Sequence, residues 1–269
     1  MAPDLQLTPD LPLAYAALPT LAQAGRVWLF LDYDGTLAEF APTPDDILPD
    51  PPLIGLLRQL TEHPPLRVAV ISGRRLSHIR ALLPVDGLIL AGTYGIELLL
   101  PGGAPQLQVA LDHLRPVLDQ VKSAWSGLVA GQAGFYVEDK GSAIALHARH
   151  AAGDVAEAAL QQARRLVEGR AGLEPFRLLG GERFLEIGPR QADKGAALAA
   201  LLERYPWPDA LPVYIGDDDK DEAAFEVVRS LGGIAIVTAP SARPTHAAYR
   251  LESTAQVRAW LAELLRRLG

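Results

Sequence analysis

Short, mostly apolar runs that alternate with helical stretches constrain the fold of this chain more than any other feature. They are found at Val27–Leu31, Arg67–Ile71, Leu88–Ala91, Pro212–Ile215 and Ile234–Val237. Continuous runs of this kind are typical of strands that are buried on both faces of a sheet. Because helical segments separate them, the pattern predicts an α/β fold with a parallel sheet and helices on both of its faces.

The helical stretches between these strands carry their own boundary signals. The helix predicted at Asp50–His63 has Pro51 and Pro52 near its start, where proline is tolerated. Residues 1–25 are rich in proline and leucine and are predicted to form a short lead-in segment. Further helices are predicted at Arg75–Leu83, Asp193–Arg204, Asp221–Arg229 and Thr254–Leu268.

The middle of the chain follows a different pattern, in which each of two hairpins comes after a helix. The predicted elements are helix Val109–Trp125, strands Phe135–Val137 and Ala143–Ala148, helix Val155–Glu168, and strands Phe176–Leu179 and Arg183–Ile187. This order is typical of an α+β unit. We therefore expect an α/β domain formed by residues 1–100 and 184–269, interrupted by a smaller α+β domain at residues 101–183.

Composition excludes several classes of protein. The length of 269 residues suggests about two domains, at roughly 100–200 residues each. The hydrophobic share of 49% is enough for a sizeable core and excludes a mainly disordered chain. No apolar stretch reaches the roughly 20 residues that a membrane-spanning helix needs. The absence of cysteine excludes disulfides, a thiol nucleophile and cysteine-bound zinc.

The distribution of charged residues limits the expected cellular location and the expected binding partners. The net charge of −7 argues against a general nucleic-acid binder. The chain has no basic residue before Arg26, so its N-terminus does not resemble a secretory signal peptide. We therefore expect a cytoplasmic monomer that acts on a small molecule and has neither a nucleic-acid nor a membrane partner.

Two carboxylates directly follow the first apolar run. Asp32 and Asp34 flank Tyr33, and Gly35 lets the chain turn away sharply from the strand. Ligands of such folds bind outside the carboxyl ends of the parallel strands, which is where these residues lie. One carboxylate can attack a phosphorus centre while the other moves a proton. A simple turn would account for Asp34 and Gly35 but not for Asp32 among apolar neighbours.

A second acidic group follows the strand Pro212–Ile215 and consists of Asp217, Asp218, Asp219, Asp221 and Glu222. Carboxylates this close repel each other unless a cation or a helix start relieves them. Mg²⁺ prefers carboxylate oxygens, whereas a solvated helix cap would need fewer of them. A calcium-binding EF-hand loop is excluded, because it requires Gly at Glu222 and Glu at Val228.

Two weaker signals complete the set of candidate site motifs. Ser72, Gly73 and Arg74 follow a predicted strand, and a hydroxyl with backbone N–H groups at a helix start can bind an anion. Lys194 begins a helix and offers a compact charge that suits phosphate. All four motifs follow core strands or begin helices beside them, so they converge on one edge of the predicted sheet. Such a set suits phosphoryl transfer, in which a metal ion and cations neutralise the transferring group.

In this order, the motifs resemble those of the haloacid dehalogenase-like (HAD) phosphohydrolases. The matching positions are Asp32–Thr36, Ser72, Lys194 and the group Asp217, Asp218 and Asp221. The resemblance implies a Rossmann-like core with an inserted α+β cap of the C2B type.

Finer features resemble the trehalose-phosphatase family within that superfamily. They are Ser72–Arg74, Glu138–Lys140, His147–Arg149, and the segment that leads from Arg183 through Glu186 and Pro189 to Lys194 and Gly195. Two positions depart from the family's pattern, because Tyr94 stands where the family has His and Lys220 where it has Thr. The family's activity is the hydrolysis of trehalose 6-phosphate to trehalose and phosphate, the last step of trehalose biosynthesis.

This resemblance also implies roles for individual residues. Asp32 is the nucleophile that forms an aspartyl-phosphate, and Asp34 is the general acid and then the general base. The implied phosphate-binding residues are Ser72, Gly73, Arg74 and Lys194. The implied Mg²⁺ ligands are Asp32, the carbonyl of Asp34, and Asp217, with Asp218 or Asp221 in support. The implied sugar-binding residues of the cap are Glu138, Lys140, Arg149 and Glu186.

Three other functions fit the same motifs. The first is a phosphatase for another sugar phosphate, such as sucrose phosphate or a glycosyl-phosphoglycerate. The second is a phosphomutase, which shares the aspartyl-phosphate step. The third is a non-catalytic sugar-phosphate sensor, although the presence of Asp32, Asp34 and Lys194 argues against it.

Overall fold

The structure is a computed structural model that describes residues 11–41, 46–110, 112–169, 172–181 and 183–269. The chain forms two compact units, of which the first is Met1–Gln106 with Asp193–Gly269 and the second is Leu107–Ala192. In the described ranges, no helix has the length and apolar character that a bilayer crossing requires.

The first unit is built on an eight-stranded sheet with the order β12-β11-β10-β1-β2-β3-β4-β5. Its strands are β1 (Val27–Leu31), β2 (Leu66–Ile71), β3 (Ile89–Gly92), β4 (Glu97–Leu99), β5 (Gln106–Leu107), β10 (Leu211–Gly216), β11 (Ile234–Thr238) and β12 (Tyr249–Leu251). The strands from β12 to β3 pair in parallel, whereas β4 pairs antiparallel with β3. The predicted parallel sheet is therefore confirmed.

Helices connect these strands. They are α1 (Leu18–Gln23), α2 (Pro51–Glu62), α3 (Leu76–Leu82), α6 (Lys194–Arg204), α7 (Glu222–Ser230) and α8 (Thr254–Leu268). The Asp50 carboxylate caps α2 by accepting from the N–H of Leu53 at 3.3 Å. The Asp193 carboxylate caps α6 in the same way, accepting from the N–H of Ala196 at 2.9 Å, and so fixes where Lys194 begins the helix.

The central position of β1 in the sheet explains why its sequence is apolar without interruption. Val27, Leu29 and Leu31 point into one hydrophobic core, while Trp28 and Phe30 point into the core on the opposite face of the sheet. All five side chains are buried. A strand that is covered on both faces has no solvent side on which a polar residue would be favoured.

The described part of the lead-in segment, residues 11–25, packs on the first unit. The indole N–H of Trp260 in α8 donates to the carbonyl of Ala14 at 3.0 Å. The N–H of Arg250 in β12 donates to the carbonyl of Pro12 at 3.0 Å. Leu18 and Leu21 are fully buried in the core.

The second unit is a four-stranded antiparallel sheet in the order β6-β7-β9-β8, with two helices. Its elements are α4 (Arg115–Leu128), β6 (Tyr136–Asp139), β7 (Ile144–His147), α5 (Gly153–Arg165), β8 (Phe176–Gly181) and β9 (Phe184–Pro189). The helices share a hydrophobic core with one face of the sheet. Trp125 of α4 is fully buried there and donates its indole N–H to Ala163 of α5 at 3.0 Å.

Several boundaries differ from those expected from the sequence, and the inserted unit begins at Leu107 instead of residue 101. Helix α4 begins at Arg115 instead of Val109, because the ring of Pro116 would collide with a preceding helical carbonyl and so must lie in the first turn. The inserted unit continues to Ala192, beyond the expected residue 183, because β9 completes the antiparallel sheet beside β7. Glu186 therefore lies within the insert, as the resemblance implied.

Candidate active site

The candidate site lies at the carboxyl ends of three adjacent strands of the first unit. Asp32 follows the central strand β1, Ser72 follows its neighbour β2, and Asp217 follows its other neighbour β10. The N–H of Asp32 donates to the carbonyl of Ile215 at 2.9 Å, which continues the pairing between β1 and β10. The structure therefore brings these three motifs to one edge of the sheet.

Lys194 joins the first acidic motif to the second. Its Nζ lies 2.7 Å from Oδ1 of Asp32 and 2.7 Å from Oδ1 of Asp221. Burial alone would lower the pKa of Lys194, but the carboxylates of Asp221 and Asp32 raise it well above its usual value. The ammonium group is therefore a fixed positive charge in the interior of the site.

Asp221 is held by donors on both of its oxygens. Oδ1 accepts from Lys194 and from the hydroxyl of Tyr214 at 2.6 Å. Oδ2 accepts from the N–H groups of Asp217 and Asp218, each at 3.0 Å. These contacts use the lone pairs of the carboxylate and fix the backbone from which Asp217 and Asp218 project.

Asp217 lies close to the turn that follows β1. Gly35 has a φ of +80°, and a Cβ atom there would lie only 2.2 Å from Oδ2 of Asp217. Burial, followed by the charges of Asp221 and Asp218, raises the pKa of Asp217 to about 7. Carboxylate oxygens of Asp217 and Asp32 also lie within 4.8 Å of each other.

Asp218 has a different environment from its neighbour. Its Oδ2 lies 2.6 Å from Nζ of Lys220, and its Oδ1 accepts from the N–H of Lys220 at 2.8 Å. Burial acts to raise the pKa of Asp218, but the charges of Lys194 and Lys220 hold it at about 2. Lys220, the residue that departs from the family pattern, therefore acts together with Lys194 to lower the pKa of this carboxylate.

Asp34 and Arg74 form a bidentate ion pair. Nε and Nη2 of Arg74 each lie 2.7 Å from a carboxylate oxygen of Asp34. The N–H of Arg74 also donates to Oγ of Ser72 at 3.1 Å. The carboxylate implied as the proton carrier is thus connected to the implied phosphate-binding segment.

The four implied cap residues lie in the second unit, and three of them make close polar side-chain contacts within it. Nζ of Lys140 lies 2.6 Å from Oε2 of Glu186, and both side chains are buried. Nε2 of His147 lies 3.0 Å from Oε2 of Glu138. Glu138 and Glu186 both pair across to Ala145, so they share one face of the sheet. Arg149 is exposed after the end of β7.

Comparison with known proteins identifies the family. A family model described as trehalose-phosphatase matches residues 30–255. The chain belongs to the trehalose-phosphatase family. Trehalose-6-phosphate phosphatase of Escherichia coli is 32% identical to it over 97% of this chain and 90% of the relative. The resemblance to the trehalose-phosphatase family that was inferred from the motifs is therefore confirmed.

Two further similarities complete the comparison. A Mycobacterium tuberculosis protein named as an uncharacterized glycosyl hydrolase is 36% identical over 95% of this chain, which spans only 19% of that relative. The C-terminal domain of C. albicans trehalose-6-phosphate phosphatase has 19% identity and a TM-score of 0.83, with 95% of this chain and 98% of that chain covered. The latter shows that the α/β core with its inserted unit is a shared fold.

The acidic group of this trehalose-phosphatase family member fits a divalent cation. Among the residues that the structure describes, carboxylate oxygens of Asp32, Asp217 and Asp221 lie within 4.8 Å of one another. Because Asp221 is already saturated with donors, Asp32 and Asp217 are the pair that can offer free oxygens. A hard cation would offset both the burial and the neighbouring negative charges of Asp221 and Asp218 that raise the pKa of Asp217.

Two residues of the site were missed by the sequence analysis. Nη1 of Arg243 donates to the carbonyl of Asp217 at 2.5 Å, and Nη2 donates to the carboxylate of Asp219. Tyr214 supports Asp221, as described above. Tyr214 stands within an apolar run and resembles a core residue, and nothing in the sequence around Arg243 indicates which loop it contacts.

Proposed function

We propose that this protein is a Mg²⁺-dependent phosphatase that hydrolyses trehalose 6-phosphate to trehalose and phosphate through an aspartyl-phosphate. The proposal depends above all on one observation: the buried Lys194 ammonium holds Asp32 at the end of β1, and a carboxylate oxygen of Asp217 lies within 4.8 Å of it. A carboxylate fixed beside a permanent cation and a second acid suits attack on a phosphoryl group. Membership of the trehalose-phosphatase family supports the choice of substrate.

In the first step, an oxygen of Asp32 attacks phosphorus, and the bond from phosphorus to the sugar oxygen breaks. Asp34, which takes up a proton from water when Arg74 turns toward the phosphoryl group, gives that proton to the sugar oxygen, so the sugar leaves as a neutral alcohol. Arg74 can exchange one of its two bonds to Asp34 for a phosphoryl oxygen, because its guanidinium offers five donors. Lys194 and Ser72 bind the remaining phosphoryl oxygens.

In the second step, water attacks the phosphorus of the aspartyl-phosphate. Asp34, which has lost its proton, takes one from the water, and the bond between phosphorus and Asp32 breaks to release phosphate. Asp32, Asp217 and the carbonyl of Asp34 would hold Mg²⁺, with Asp218 beside them. The ion supplies positive charge that neutralises the phosphoryl oxygens during transfer.

The second unit supplies the sugar-binding residues in this proposal. Glu138, Lys140 and Glu186 would bind sugar hydroxyls, since carboxylates can accept bonds from vicinal hydroxyl groups. Arg149 would assist them. We also propose that the protein acts as a monomer in the cytoplasm.

The decisive experiment measures phosphate release from a panel of sugar phosphates, with Mg²⁺ and then with excess EDTA. We expect release that is selective for trehalose 6-phosphate, lost in EDTA and restored by added Mg²⁺. Release only from sucrose phosphate or a glycosyl-phosphoglycerate would support the proposed phosphatase reaction but contradict trehalose 6-phosphate as the substrate. No metal-dependent release from any member of the panel would contradict the phosphatase proposal.

A second prediction tests the sugar-binding role of the cap. Replacing Glu138 with Gln keeps the shape of the side chain but removes its charge, which weakens bonds to sugar hydroxyls. We expect the KM for trehalose 6-phosphate to rise about tenfold, the size expected for one charged hydrogen bond. Turnover of p-nitrophenyl phosphate, which has no sugar, should stay the same.

Glu168→Gln is the matched control for this prediction, because Glu168 lies in the same unit with a side chain that is 53% exposed. Its KM should equal that of the wild type. Equal increases in KM for both substrates in Glu138→Gln would indicate a general distortion and would count against sugar binding by Glu138.

A further inference from the structure

The turn after β3 has an unusual backbone. Thr93 and Tyr94 have φ values of +47° and +56°, and both residues carry a Cβ atom. The left-handed region is uncommon for such residues and is unfavourable for a bulky aromatic side chain. Backbone of this kind persists only where surrounding contacts hold it, and it is concentrated at functional sites.

The contacts that hold this turn come from the implied phosphate-binding segment. The N–H of Tyr94 donates to the carbonyl of Ser72 at 2.9 Å, and the N–H of Thr93 donates to the carbonyl of Arg74 at 2.7 Å. Glu97 fixes the other side of the turn by accepting from the hydroxyl of Thr93 at 3.0 Å. The turn and the Ser72–Arg74 segment therefore form one rigid unit.

The side chain of Tyr94 lies against Gly73. A Cβ atom on Gly73 would lie 2.7 Å from both Cζ and Oη of Tyr94, so alanine cannot be accommodated there without displacing the ring. Tyr94 is only 5% exposed. The end of the ring that touches Gly73 is thus its polar end, and a buried tyrosine hydroxyl normally takes part in a hydrogen bond.

We propose that Tyr94 is a further phosphate-binding residue, whose hydroxyl donates a hydrogen bond to the phosphoryl group bound at Ser72–Arg74. The assignment rests on the proposed phosphatase function. The strained turn places a hydroxyl donor beside the backbone that would receive the anion. The donor adds to the hydroxyl of Ser72 and the ammonium of Lys194.

The test replaces Tyr94 with Phe, which removes the hydroxyl and keeps the ring. Orthovanadate binding in Mg²⁺ is measured by calorimetry, because this phosphate mimic carries no sugar. We expect the Kd for orthovanadate to rise about tenfold, as for loss of a hydrogen bond to a charged group. The kcat/KM for trehalose 6-phosphate should fall by a similar factor, with an unchanged melting temperature.

Tyr15→Phe is the matched control, because Tyr15 is 38% exposed and lies outside the site. An orthovanadate Kd that is unchanged in Tyr94→Phe would overturn the proposal. If in that case kcat/KM for trehalose 6-phosphate still fell, the hydroxyl would instead bind the sugar. A wild type that binds orthovanadate but releases no phosphate from trehalose 6-phosphate would contradict the proposed substrate and leave the Tyr94 test valid. A wild type that binds no orthovanadate would overturn both.

Discussion

Replacing Asp32 with Asn should lower phosphate release from trehalose 6-phosphate on the order of 10⁴-fold or more, because removal of a nucleophile abolishes the covalent step. The amide has nearly the shape of the carboxylate and can still accept a bond from Lys194, so the fold should be retained. Phosphate release gives the rate, and circular dichroism with thermal unfolding reports the fold.

Asp209→Asn is the matched control for this chemical change. Asp209 is exposed and has a φ of +63°, a backbone conformation that asparagine also tolerates. Its activity should equal that of the wild type. A folded Asp32→Asn protein that retains turnover within about tenfold of the wild type would exclude Asp32 as the nucleophile.

Replacing Lys194 with Met should cause the largest loss of stability among single substitutions in the site. The side chain of Lys194 is 4% exposed, and it neutralises two carboxylates that are equally buried. Removing one partner of a buried ion pair leaves uncompensated charge and costs about 3–5 kcal/mol. Urea unfolding should therefore show a lower free energy of unfolding, and phosphate release should be lost as well.

Lys122→Met provides the comparison, since Nζ of Lys122 lies 3.0 Å from Asp139 but its side chain is 46% exposed. Such surface pairs contribute about 0–1 kcal/mol, so this variant should unfold almost as the wild type does. Adding Asp221→Asn to Lys194→Met removes one of the orphaned charges and should recover part of the lost stability. A Lys194→Met protein as stable as Lys122→Met would contradict the proposed electrostatic role.

The sheet edge that carries the candidate site could be predicted because its signals are local. A strand buried on both faces leaves an unbroken apolar run such as Val27–Leu31, and the first polar residues after it must stand where the strand ends. Asp32 and Asp217 were found in this way. The same local reasoning recovered Thr254–Leu268 with its observed bounds, because Ser253 caps this helix by accepting from the N–H of Gln256.

The remaining features depend on contacts that the sequence does not display. The short strands β5 and β12 lack an apolar run of their own and form beside a neighbouring strand edge. The link between Arg243 and Asp217 joins residues that are 26 positions apart in different loops. The role of Tyr94 likewise depends on its backbone conformation and on its approach to Gly73, neither of which a residue type reveals.

The order of the strands affects when the protein can fold during its synthesis on the ribosome. The central strand β1 is paired with β2 on one side and with β10 on the other, so Val27 faces Leu211 across the sheet. Strand β1 can pair with β10 only after most of the chain has been synthesised. This pairing therefore forms late, because contacts between distant residues carry a larger loop-closure cost. The second unit is continuous from Leu107 to Ala192 and emerges earlier.

A nascent chain halted before β10 therefore contains Asp32 and Lys194 but lacks the acidic loop that faces them. The exposed edge of β1 is then an unpaired strand edge, which is a site for wrong pairing between chains. We expect synthesis of the segment that ends with Gly216 to be the point at which the nascent protein becomes resistant to proteolysis.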